Sequence, residues 1–173
     1  ATVPVLSKGV NMGVERTIER APALCETAYF SAITAPDELL PGFFAAVQPW
    51  IERDPKAGVY LTDFCFRTHD SSELFPKHVR LGTDAGFIAP DELVRSLARA
   101  GHILPAYGCV FRTEAIREAG GFRPELRWHA DWFAELVVGF RHGICHIPQP
   151  LAVADMSPQN YSAGANRWAS QRG

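Results

Sequence analysis

The stretch Phe111 to Gly143, FRTEAIREAGGFRPELRWHADWFAELVVGFRHG, constrains this chain more than any other. It reads as the end of a strand, a short helix, a Gly-Gly turn, a loop and a second helix that opens on an acid. Thr113 suits the N-cap of the first helix. Glu114 suits its first turn, where a negative charge meets the positive end of the helix dipole. Gly120 and Gly121 stop that helix, because glycine tolerates the left-handed conformation at the C′ position. Phe122 then folds back as an apolar plug. Asp131 stands at the start of the next helix, where Trp132, Phe133, Leu136, Val137 and Phe140 give an apolar face at helical spacing, and Gly143 ends it. The ordinary role of an acid at a helix start is an N-cap or a dipole partner.

At 173 residues the chain fits one domain with a single real core. Its 47% hydrophobic and 21% charged content is that of a soluble globular protein. The net charge of −2, without a basic cluster, argues against nucleic acid and against a strongly anionic membrane as main partners. No apolar run reaches the roughly 18 residues that a membrane span needs. Ala1 to Val10 lacks the charged start and long apolar core of a signal peptide. Cys25, Cys65, Cys109 and Cys145 are widely spaced with no C-x-x-C, which reads as buried free thiols in a reduced, cytoplasmic protein. His142, Cys145 and His146 look like metal ligands at first sight. Ile144 to Ile147 reads as a strand, however, on which neighbours point to opposite faces, so Cys145 and His146 diverge.

Along the chain, Thr2 to Leu6 reads as a short strand. Asn11 to Phe30 reads as a turn and a helix that Pro22 shortens, and Ala28 to Ile33 as an apolar strand buried in a parallel sheet. Thr34 to Phe43, TAPDELLPGF, follows at a strand's carboxyl end, where open α/β sheets bind ligands. Asp37 there is either a cap before Pro41 or a functional acid. Pro41 to Arg53 reads as an amphipathic helix interrupted at Pro49, and Gly58 to Phe66 as a strand with Asp63 at its end. Arg67 to Gly86 fits no periodic template and reads as a long loop or lid, with His69, Lys77, His78 and Arg80 as candidate phosphate or acceptor contacts. Ile88 to Ala100 reads as a helix with Pro90 near its start and Gly101 as its stop. Ala163 to Gly173 reads as a fraying tail after a domain of residues 1–162. There is no P-loop, no G-x-S-x-G elbow and no Q-x-x-R-W.

The order FR, EAGGF, an acid opening an apolar helix, R-x-G and then P-x-P-L resembles the C-terminal half of family-2 glycosyltransferases of the GT-A fold. The segment DPKAGVYLTD, Asp54 to Asp63, resembles the family's HPEAGVVYSD. Asn11, Gly13 and Tyr29 match its N-x-G and Tyr positions, with the Arg-Asn pair falling on Ile18 and Glu19. Pro150, Leu151, Asn160 and Ser162 match its last motif, with the family's Arg and His falling on Asp155 and Ser157. The resemblance implies an α/β, three-layer GT-A-like nucleotide-diphospho-sugar transferase with a mostly parallel central sheet. It covers the later two-thirds of the catalytic domain, so the first two β-α units are expected to be missing before Thr2. It implies transfer of a sugar from a nucleotide-sugar donor to an acceptor hydroxyl with inversion, in polysaccharide biosynthesis, with Asp131 as the general base. Asp37 and Asn11 then lie on the donor diphosphate side. Tyr107, Gly108, Arg112, His129 and Trp132 lie on the acceptor side, and Trp128 or Trp132 either stacks on a sugar or packs the core. The family's Asp-x-Asp motif, which holds manganese or magnesium, falls on Thr34 to Asp37, where only Asp37 is acidic. The implied acceptor is a saccharide or a lipid-linked molecule. Placement against a membrane and a homo-oligomer both stay open. The alternative is a degenerate or fragmentary GT-A domain that binds carbohydrate or protein without catalysis.

Overall fold

The structure, a computed structural model, describes residues 9–68, 71–100 and 104–157. The expected strand at Thr2 to Leu6, His69, the stop at Gly101, Asn160, Ser162 and the expected tail lie outside the described residues. Two long strands form its axis: β3, Val59–Thr68, and β7, Ile144–Met156. They run parallel, from Val59↔Ile144 to Thr68↔Met156. The remaining strands are β1 (Tyr29–Phe30), β2 (Glu38–Leu39), β4 (Leu74–Lys77), β5 (Gly86–Ile88) and β6 (Cys109–Arg112). Their order is β1-β6-β3-β7-β2, with β4 paired to β3 and β5 to β7.

The sheet is mixed, which corrects the expectation of a mostly parallel one. Among the described strands only β3 and β7 pair in parallel; β1–β6, β2–β7, β3–β4, β3–β6 and β5–β7 are antiparallel. The apolar run at 28–33 is accordingly no buried parallel strand. Only Tyr29 and Phe30 pair, at the sheet's edge, and both are half-buried.

Helices α1 (Gly13–Ile18) and α2 (Ala21–Leu24) precede the sheet. Helix α3, Phe43–Arg53, covers one face, where Phe43 and Val47 pack with Tyr60, Val110, Cys145 and Ile147. Helices α4 (Pro90–Ala100), α5 (Thr113–Glu118) and α6 (Ala130–His142) cover the other. There Leu93, Ile116 and Val138 pack with Val59, Leu61, Phe64 and Ile144. Strand alternation explains the split, since Val59 and Leu61 face one way and Tyr60 the other. The result is three layers around the sheet.

Several local expectations change. Pro49 lies inside α3 without interrupting it. It is on the exposed face with Ala45, whose carbonyl loses its helical partner where water can replace it. Asp37 does not cap this helix, which starts at Phe43 behind Gly42. The expected loop 67–86 is largely strand, since β3 runs on to Thr68 and β4 returns along it from Phe64↔Lys77 to Arg67↔Leu74. Strand β4 is only the four residues LFPK, is exposed along its whole length and contains Pro76, so no apolar alternation marks it. Thr113 is the first residue of α5 rather than its cap, and its hydroxyl donates to the Thr27 carbonyl at 2.8 Å. Gly120 and Gly121 do end α5: both have positive φ, and their amides bond Arg117 and Ile116 carbonyls in the paired pattern of a Schellman turn. Phe122 is buried against Phe30 and Phe111.

Helix α6 does not bury the face its large residues mark. Phe133 and Phe140 are exposed, while Ala130, Ala134, Glu135, Val138 and Gly139 are buried. The helix approaches the sheet through its small residues. A Cβ on Gly139 would lie 2.8 Å from Leu93 and 3.0 Å from Ile144, and one on Gly58 would lie 2.2 Å from Val138.

Candidate active site

Asp131 is the second residue of α6, behind His129 at the N-cap position. Its Oδ1 accepts the Trp132 amide at 2.8 Å, so it satisfies one of the orphan N–H groups of a helix start. Burial pushes its carboxyl above the ordinary range; the Trp132 amide and the nearby His129 oppose that rise without cancelling it. A carboxylate raised in this way is a stronger base than a solvated one.

Two further groups converge on it. Tyr107 sits in a 3-10 turn, Ala106–Gly108, that leads into β6, and its ring packs edge-on to Phe64 at 5.3 Å. Burial raises the Tyr107 hydroxyl, and the neighbouring Asp37, Glu135, Cys109 and Asp131 raise it further. Gly108 lies where only a glycine fits easily, with a Cβ there 3.2 Å from the Thr62 hydroxyl. Glu135 is not legible in the sequence as a site residue. It lies one turn after Asp131 and therefore on the same side of α6. It is fully buried; its Oε1 accepts the Cys109 thiol at 3.4 Å and its Oε2 has no hydrogen-bond partner among the described residues. Burial, then the Asp131 charge, pushes its carboxyl well above the ordinary range.

An aromatic group stands before Asp131 in the 3-10 stretch Pro124–His129. The Trp128 ring lies 3.6 Å from His129 and 6.0 Å from Trp132, centroid to centroid, and Trp128 is 40% exposed. Arg127 next to it holds φ 52 and ψ −127, a conformation that costs a side-chain-bearing residue about 1–3 kcal/mol.

Arg112 is not brought to this group. Its guanidinium donates to the Ala57 carbonyl and meets His142 Nδ1 at 2.9 Å. His142 is at the far end of α6, about 16 Å along the axis from Asp131 at 1.5 Å per residue. Asn11 is exposed and its Oδ1 accepts the Gly13 amide at the start of α1.

The loop 34–38 does not fit a divalent cation. Such an ion takes several oxygen ligands at once. Both Asp37 oxygens are engaged, Oδ1 by the Asp155 amide at 3.1 Å and Oδ2 by the Thr34 hydroxyl. Glu38 and Asp155 are ion-paired to Arg67 at 2.7 and 3.2 Å, and Arg67 also donates to the Pro36 carbonyl. Among the described residues no group of three or more His, Cys, Asp or Glu could hold a metal. Burial raises the Asp37 carboxyl, against the two hydrogen bonds it accepts. Cys145 and His146 do diverge: Cys145 packs under α3, and His146 turns to Asp63.

The sequence places Asp63 at a strand terminus. It is instead 1% exposed, with Oδ1 accepting His146 Nε2 at 2.9 Å and the Val79 amide at 3.0 Å, and Oδ2 accepting His78 Nδ1 at 2.6 Å. Burial alone would raise this carboxyl, but the three donors outweigh it and hold the group below its ordinary value.

No protein-family model matches the chain, and no curated protein matches it. Among solved structures, S. aureus TarS 1-349 matches with a TM-score of 0.62 at 12% identity. The same protein in complex with UDP matches with a TM-score of 0.58 at 13% identity. The fold is shared. Each match covers 84% of this chain and 41% of the TarS chain, so this chain spans less than half the length of the structures it resembles. No helix of the described residues is long and apolar enough to cross a membrane.

Proposed function

We propose that this protein transfers a sugar from a nucleotide-sugar to an acceptor hydroxyl with inversion, Asp131 acting as the base. One observation carries the reading: a half-buried acid of raised basicity opens α6, and Glu135 and Tyr107 gather about it. The fold shared with S. aureus TarS, which has been crystallised in complex with UDP, supports it. Asp131 takes the proton of the acceptor O–H. The oxygen attacks the anomeric carbon from the side opposite the diphosphate. The bond from that carbon to the leaving oxygen breaks, and its electron pair departs with the nucleoside diphosphate. Trp128, His129 and Trp132 line the acceptor's approach, and no step runs through a metal ion.

The test is calorimetric titration of UDP, dTDP and GDP with manganese and with chelator, followed by transfer assays on Asp131→Asn. The expected result is binding that survives chelation and survives in the variant, with transfer lost by about a hundredfold or more. Unchanged transfer in Asp131→Asn would remove Asp131 from the role of base. A second reading, a domain that binds without catalysis, is favoured by the full engagement of Asp37. It predicts nucleotide or saccharide binding with no turnover by the wild type.

A further inference from the structure

The segment Lys77–His78–Val79–Arg80 is built around Asp63 in a way the chemistry at Asp131 does not use. Asp63 is a buried carboxylate that fixes His78 by its Nδ1 and Val79 by its amide. An ionised carboxylate only accepts, so His78 Nδ1 carries a proton and donates it to that bond. The rest of the imidazole is turned outward, the side chain being 61% exposed, so Nε2 is the atom left to meet a ligand. A buried acid that orients a histidine by one nitrogen and presents the other is the arrangement that pre-sets an imidazole for binding or proton transfer. Asp63 is itself anchored from behind by His146, which is 1% exposed.

The surroundings select the ligand's charge. Lys77, His78 and Arg80 are exposed, and Leu74 to Thr83 contains no acid. Val79 and Leu81 are buried on either side of Arg80, which takes a φ of 63 between them. The turn thus stays pinned by its apolar residues while it displays its basic ones. Lys77 and Arg80 give the segment positive charge beside the Asp63–His78 pair. The acid-rich loop 34–38 cannot serve a diphosphate in this way, since its arginine is committed to Glu38 and Asp155.

We propose that His78, oriented by Asp63 and flanked by Lys77 and Arg80, is a binding site for a diphosphate group. Lys77 and Arg80 donate to its oxygens, and the outward Nε2 of His78 donates to them when it carries a proton. The assignment rests on the glycosyl-transfer reading for its natural ligand, the diphosphate that leaves with the nucleoside. Two molecules carry the group, a nucleoside diphosphate and a prenyl diphosphate of a lipid-linked acceptor.

The test titrates UDP, uridine, inorganic pyrophosphate and geranyl diphosphate into the full chain with chelator present. Calorimetry is joined by the 15N resonances of the His78 ring. The variants are His78→Gln and the double variant Lys77→Gln, Arg80→Gln, all at exposed positions. A charge-assisted hydrogen bond lost should weaken diphosphate binding by about ten- to a hundredfold. Uridine binding should not change, and the His78 Nε2 resonance should move with the diphosphate ligand alone. Whichever of UDP and geranyl diphosphate shows this dependence names the source. UDP bound equally by wild type and both variants overturns the site and leaves the transferase reading standing. No UDP binding, with pyrophosphate or geranyl diphosphate still bound through His78, overturns the donor reading and keeps the site. No binding of any diphosphate overturns the site.

Discussion

Glu135→Gln tests the electrostatics of the candidate site without touching its surface. Glu135 is fully buried, its Oε2 has no hydrogen-bond partner among the described residues, and burial and the Asp131 charge hold its carboxyl well above its ordinary value of 4.5. In the unfolded chain it titrates normally. The folded state therefore binds its proton more tightly than the unfolded state. Stability from this group is fully present below the unfolded pKa and falls as pH rises towards the folded one. The limiting slope for one proton is about 1.4 kcal/mol per pH unit. Gln keeps the shape and cannot titrate, so the wild type should lose stability relative to the variant along that slope above about pH 4.5. The amide also brings two N–H donors into a site with few partners, at a cost of about 1–3 kcal/mol that does not depend on pH. The slope with pH, not the constant offset, is therefore the quantity that reports the titration. Urea unfolding at several pH values between about 5 and 7.5 measures it through ΔG = m × Cm. A wild-type-minus-variant difference that stays level across that range refutes the claim that Glu135 is held protonated by the fold.

Three further outcomes follow from the packing and the ion pairs. Gly58→Ala sets a Cβ 2.2 Å from Val138 and 3.0 Å from His142, so it should lower stability by about 1–3 kcal/mol in a thermal melt, and an unchanged midpoint would contradict the close approach of α6 to β3. Asp63→Asn should cost about 3 kcal/mol near neutrality. Because the folded Asp63 carboxyl lies below its ordinary 3.8, its contribution is present above that value and is lost as pH falls, so the variant's deficit should shrink on acidification; a deficit that grows there would reverse the sign of the argument. Arg67→Gln frees Glu38 and the Pro36 carbonyl from β3, and hydrogen exchange at the 36–39 amides should speed up while the β3–β6 amides stay protected. Equal rates in both proteins would mean that Arg67 does not pin this loop.

Features of this chain that are legible in its sequence are legible for local reasons. The Gly120–Gly121 stop, the Phe122 plug, Asp131 in the first turn of α6 and the divergence of Cys145 from His146 each depend on turn chemistry or on a two-residue period. Sequence and structure part where tertiary context decides. Periodicity marks Phe133 and Phe140 as core, but α6 buries Ala134 and Gly139 because close approach needs small side chains. Strand β4 carries no alternation because it is exposed throughout. Glu135 is hidden inside an apolar pattern, since a charged residue at a core position looks like a break in the stripe. Its partner, Cys109, lies 26 residues away.

Asp63 shows how a feature spread over the chain becomes a site. Between Thr62↔Ile147 and Phe64↔Ala152, two steps along β3 match five along β7, so the ladder is irregular at Asp63. Pro148 lies in the surplus and Pro150 is the partner of Asp63, and since proline cannot donate to a ladder both stand where the pairing is irregular. On its other edge β3 pairs with β6 up to Leu61 and with β4 from Phe64 onward, so Asp63 falls in a gap between two partner strands. A side chain there is held by the sheet without being part of a regular pair row. Its carboxylate fills the gap by collecting three donors from two segments: His146 of β7, and His78 and Val79 beyond β4. Irregular ladders of this kind re-aim side chains next to functional sites. The two prolines thus act at a distance on His78, and replacing Pro148 and Pro150 with residues that restore the ladder should release its Nδ1 from Asp63. The His78 ring resonances would report that directly, and resonances unchanged from the wild type would show that the irregularity does not set the histidine's orientation.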